Sequence, residues 1–200
     1  MISPPTAQAA DPRLYEHVRV MVSIILGLGV ARLLGGLVRF AQHPGRLRAW
    51  WVHLGWCAWT LLSVMAFWWW EFRLAAVPQW SFGSYLIVLA YAAAWFVLAA
   101  LLLPEDVGDY AGFEDYFILR RGWIFGAIAA VFVLDLADTA LKGAARFHAL
   151  GPEYLLRFAA YMVLCLIGWR SRSRPVQTGL MLFAVIYQVS FIARFYGVLD

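Results

Sequence analysis

A helical bundle of six transmembrane spans is the fold class this sequence predicts, and three observations carry it. The 200-residue chain is 64% hydrophobic and only 14% charged, against about 25% charged in soluble domains, and its mean hydropathy is +0.71. Six apolar runs of about 20 residues take up most of its length, and a stretch of that size crosses a hydrocarbon core of about 30 Å. Short turns rich in Pro, Gly and charge separate the runs. The expectation is an all-α polytopic membrane protein forming one bundle over 1–200, solvated by the lipid bilayer, with no room for a soluble domain.

The polar N-terminal segment 1–14, MISPPTAQAADPRL, lacks the basic region and short apolar core of a cleaved signal peptide. The first span is expected over 15–40. Gly27, Gly29, Ala31, Gly35 and Gly36 thin its bulk, which lets membrane helices approach closely, and it is expected to pack centrally. After the basic turn 42–48 comes a second span over 50–72. Trp50 and Trp51 open it and Trp68, Trp69 and Trp70 close it, about 18 residues or roughly 27 Å apart, which matches two interfacial aromatic belts.

A loop holding Arg73, Pro78 and Trp80 leads to a third span over 82–103, which is nearly free of polar groups and so is expected to face lipid. The stretch PEDVGDYAGFEDY is acidic and broken by glycines, so it is expected to be a surface loop. The fourth span, 118–142, is apolar yet contains Asp135 and Asp138. The connection 143–153 follows it, then spans over 154–169 and 176–196, joined by the basic turn RSRSRP.

Six spans place both termini on one side of the membrane. Because the turns at 42–48 and 170–174 are rich in arginine, the positive-inside rule makes their side cytoplasmic and puts the termini in the periplasm. ARLLGGLVRF (31–40) and DTALKGAARF (138–147) share Leu, Gly, Arg and Phe in register at the ends of the first and fourth spans, so two inverted three-helix repeats are a candidate arrangement.

The charges inside the spans are the candidate functional residues. A carboxylate facing hydrocarbon costs about 2.5 to 3.5 kcal/mol on insertion scales, so Asp135 and Asp138 must turn inward. With Lys142 they fall at i, i+3 and i+7, on one helical face. The topology delivers Glu16, His17, Glu71, Arg73, Arg157 and Arg194 to the same end of the bundle, and Gln188 lies midway along the sixth span. Two readings stand: an ion, proton or solute pathway, or a structural network in which Lys142 pairs with Asp138 and an arginine takes Asp135. Arg32, deep in the first span from the other end, needs either an anionic substrate or an acid of the 105–115 stretch. His53 reads as a hydrogen-bonded packing residue.

Other chemistry finds little support. The charge of +4 is scattered over arginines, which argues against nucleic acid as a partner. Cys57 and Cys165 fall in apolar runs and read as buried fillers rather than a disulfide. No HExxH, CxxC, nucleotide loop or catalytic triad order is present, so neither a metal, a cofactor nor an enzymatic activity is expected.

The succession WWVHLGWCAW, FWWWEFRL, LLLPEDVGDYAGFEDYF and LDLADTALKG resembles a group of bacterial six-span membrane proteins of unknown function over nearly the full length. The resemblance implies a bacterial inner membrane setting and carries no activity. The leading expectation is a small channel or secondary transporter for an ion, proton or small polar solute, acting as a homo-oligomer. The alternative is a non-catalytic structural or interaction subunit of a larger membrane complex.

Overall fold

The structure is a computed structural model that describes residues 12–43, 48–71 and 80–195. The first eleven residues, the middle of the turn at 42–48, the loop with Arg73 and Pro78, and the last five residues lie outside it. Six helices are present: α1 (Pro12–Gln42), α2 (Trp51–Trp70), α3 (Phe82–Leu102), α4 (Phe113–Leu141), α5 (Ala144–Arg170) and α6 (Arg174–Phe195). All six are long and apolar enough to cross a membrane, and no strand occurs among the described residues. Large apolar side chains such as Phe82, Trp123, Leu156 and Ile186 point outward. Water would penalise that surface, whereas lipid accommodates it. The protein is an integral membrane protein.

Local chemistry sets the helix ends. Ser81 accepts the Ser84 N–H at 3.1 Å and Ser84 Oγ accepts the Ser81 N–H at 2.9 Å, a reciprocal cap that starts α3. Helix α4 begins at Phe113, five residues before the expected start, and takes Glu114 and Asp115 into its first turn, where carboxylates favour the positive helix terminus. Only the earlier part of the acidic stretch is loop. The connection expected over 143–153 is mostly helical. Gly151, at φ 67°, breaks α5 there, and Pro152 restarts it at a first-turn position that needs no N–H donor.

The packing order differs from the expectation. Helix α2 is the centre: 56% of its spanning window is buried, against 22% for α1 and 39% for α3. It touches α1, α3, α4 and α6. Helix α3 lies between α1 and α4 and keeps an outward apolar face with Phe82, Leu86 and Val97, while α5 packs on α4 and α6 closes on α2. Helix α1 is peripheral, and it meets α4 at the end away from Glu16 and His17, where Phe40 lies 4.7 Å from Phe113 between ring centres. Its small residues do serve close approach, but towards α3: Gly29 faces Phe96 and Gly36 faces Leu103, while Gly27 and Gly35 face open space. The repeat gains no support from packing, because α1 lies along α3 whereas α4 lies along α5 and has no close backbone approach to α6. Segment 31–40 is unbroken helix, whereas 138–147 crosses the break between α4 and α5.

Buried rings fill the middle of the bundle. Trp56, Trp59, Phe117, Phe125 and Tyr161 are fully enclosed. Phe117 to Phe125, Phe125 to Trp56, Trp56 to Trp59 and Trp59 to Tyr161 run in steps of 6.1, 5.4, 5.5 and 5.8 Å between centroids. Phe132 stacks on Tyr161 at 4.1 Å. The Trp59 indole N–H donates to the Tyr161 hydroxyl at 3.2 Å, which satisfies one polar tip inside this column.

Candidate functional site

A cavity of about 70 Å³ opens where α2, α4 and α6 end and α5 begins. By volume it holds a few water molecules. The periodicity of α4 puts Asp135, Asp138, Thr139 and Lys142 on its wall; α2 adds Ser63, Trp70 and Glu71, α3 adds Tyr91 and Trp95, and α5 and α6 add Tyr154, Arg157, Gln188 and Phe191.

Lys142 is the hub of the ion pairs. Its Nζ lies 2.6 Å from Asp138 Oδ2 and 3.2 Å from Glu71 Oε1, and the three side chains are exposed by 9% or less. The pair with Asp138 spans one helical turn, while the pair with Glu71 ties the end of α2 to the end of α4. Glu71 and Lys142 each follow the last residue of their span. Burial pushes the Glu71 carboxyl up to about 7 against the pull of Lys142. Burial pulls the Lys142 ammonium down, but Glu71 and Asp138 outweigh it and the net shift is upward.

Among the described residues Asp135 forms no ion pair with an arginine, the partner that the structural-network reading gave it. It accepts the Tyr91 hydroxyl at 2.9 Å. Arg157 turns to aromatic faces instead, its guanidinium 4.4 Å from the Phe191 ring centre and 5.4 Å from that of Phe132. It also donates to Gln188 Oε1 at 3.4 Å, and among the described residues it forms no ion pair. Gln188, at 1% exposure, is thus both interhelical glue and cavity lining. Tyr154 donates to Thr139 Oγ1 at 3.0 Å. Formally, three acids (Glu71, Asp135, Asp138) face two bases (Lys142, Arg157) across this small volume.

Six sequence-selected residues, Glu71, Asp135, Asp138, Lys142, Arg157 and Gln188, meet at the cavity. Glu16 and His17 do not: both are exposed on α1 and neither lines the cavity. Arg194 pairs with Glu153 at 2.6 Å outside the cavity. Arg32 lies at the other end, 3.0 Å from Glu105, so an acid of the loop is its partner. Trp70, read as belt, lines the cavity, whereas Trp68 and Trp69 are exposed. The sequence reading missed Tyr91, Thr139 and Tyr154. Tyr91 had a signal, because it is the one hydroxyl in the middle of an otherwise apolar span. His53 donates its Nε2–H to the Leu102 carbonyl, 2.6 Å away, and stacks on Phe113. No three His, Cys, Asp or Glu residues among those described converge in a way that could hold a metal ion.

No protein-family model, no curated protein and no solved structure matches the chain.

Proposed function

We propose that this protein is a secondary transporter or small channel that carries a proton, a small cation or a small polar solute through the cavity of Glu71, Asp135 and Asp138. The observation that supports the reading is the unequal set of charges around a water-sized space. With Glu71 neutral, two acids face two bases; with Glu71 ionised, three acids face two, so one proton or one cation balances the site. Intramembrane ionisable groups of this kind are functional candidates by default.

The aromatic column from Trp59 to Phe117 fills the bundle beyond the cavity, which favours alternating access over a standing pore. Asp135 and Asp138 bind the cation or proton, Glu71 titrates, Lys142 is the resident counter-charge, and Tyr91 orients Asp135. Arg32 has no part in this cavity. In this reading the protein sits in a bacterial inner membrane as a homo-oligomer, with the cavity end and both termini periplasmic.

The test is flux into liposomes carrying the purified protein, read with a pH-sensitive dye and with cation-selective dyes. Wild type gives saturable flux, and Asp135→Asn removes it while eluting as a folded species. A second reading is a structural subunit of a larger membrane assembly, and the near-complete burial of the Glu71–Lys142–Asp138 ion pairs favours it. Under that reading wild type gives no flux and Asp135→Asn fails to assemble.

A further inference from the structure

At the other end of the bundle a groove of about 730 Å³ runs down the lipid-facing seam of α3, α4 and the end of α5. Its floor is α4 at Gly122 and Gly126, Val97 and Leu101 of α3 form one wall, and Trp169 closes the other. A Cβ added at Gly122 would meet the Trp169 indole nitrogen at 3.0 Å, so that glycine serves internal packing. A Cβ at Gly126 would meet nothing within 4 Å. The space over Gly126 is therefore left open by the protein's own side chains.

Two arginines stand at the mouth of this apolar groove. From Arg121 to Leu141 α4 rises about 30 Å at 1.5 Å per residue, the thickness of a hydrocarbon core, so Arg121 lies at headgroup depth. Trp123 and Trp169, 70% and 59% exposed, mark the same level. Arg121 spends Nη1 on the Ile118 carbonyl at 2.6 Å, while its Nε is buried with no partner. Arg172 lines the same mouth, and neither arginine reaches a carboxylate within ion-pair distance among the described residues. The acids nearest Arg172 are engaged: Glu114 pairs with Arg174, and Asp115 accepts the Ala111 N–H at 3.3 Å.

Two guanidinium groups above an apolar trough match a phosphodiester above an acyl chain in charge and in depth. We infer that this groove binds one anionic phospholipid, with its phosphate between Arg121 and Arg172 and one chain lying over Gly126. A second copy of this chain would fit the trough less well, because it would bring two more arginines to the same mouth.

The test is native mass spectrometry of the detergent-solubilised protein titrated with phosphatidylglycerol and, separately, phosphatidylcholine. Wild type is expected to retain one phosphatidylglycerol about 30-fold more strongly than phosphatidylcholine, at roughly a fivefold gain per arginine near the surface. Arg121→Gln with Arg172→Gln abolishes that preference, and Gly126→Leu, which keeps both arginines, lowers retention of either lipid. If the double variant aggregates, Arg172→Gln alone, in an exposed connection, carries the test with a roughly fivefold loss. Equal retention of the two lipids by wild type overturns the inference. So does displacement of the bound lipid by millimolar inorganic phosphate, which would mark a free-anion site, or a lipid-free dimer that Gly126→Leu splits.

Discussion

At one end of the bundle Glu71, Asp138 and Lys142 meet with side-chain exposures of 9% or less, whereas at the other Arg32 meets Glu105 with the carboxylate 85% exposed. Both are contacts between an acid and a base at about 3 Å. The first has been taken out of water and the second has not. A desolvated pair holds each member hostage to the other, because loss of one leaves an uncompensated charge. A solvated pair loses little when broken, since water replaces the partner. Distance alone therefore says nothing about which contact matters.

The sharpest way to break this comparison is Lys142→Met. It leaves Glu71 and Asp138 facing each other without a cation, and the expected cost is about 3 to 5 kcal/mol, read as lost monodisperse protein on size exclusion after heating. Packing at the other end comes next. A Cβ at Gly168 would lie 2.4 Å from the Phe125 ring, so Gly168→Ala should cost about 1 to 3 kcal/mol by pushing that ring into Trp56. Tyr91→Phe removes the hydroxyl that lies 2.9 Å from Asp135 and should cost about 1 kcal/mol while shifting the pH profile of any flux. Glu105→Gln should change thermal stability by less than about 1 kcal/mol, and an effect as large as that of Lys142→Met would erase the distinction.

pH sharpens the same contrast. Glu71 titrates near 7 in the folded protein against an ordinary value of 4.5, so its contribution to stability is complete below about 4.5 and is lost as pH rises through about 7. Lys142, Asp138 and Asp135 are the charged groups facing it. Wild type should lose thermal stability between about pH 5 and pH 8, Glu71→Gln should lose less, and Glu105→Gln should follow wild type.

The spans were legible because hydropathy over about 20 residues reports crossing directly, and most ends fell within a few residues of the helices. The inward face of α4 was legible too, since three charges at i, i+3 and i+7 admit one orientation. Neighbour order was not. Between helices in lipid, no apolar pattern distinguishes a partner from a lipid tail, and shape at small residues decides. That is why α1, whose glycines suggested a central helix, stands at the edge, and why Glu16 and His17 miss the cavity. It is also why α3, which looked lipid-facing, supplies Tyr91 to it.

The bond between Lys142 and Glu71 joins residues 71 positions apart, while that between Lys142 and Asp138 joins residues four apart. During synthesis at about 5 to 20 residues per second, the Glu71 carboxyl precedes its ammonium partner by roughly 4 to 14 seconds. Helix α4 arrives carrying its own counter-ion; α2 does not. Glu71 stands just past the last residue of its span, where it can wait hydrated at the membrane surface, and its withdrawal from water then marks the moment when the two halves of the chain have docked.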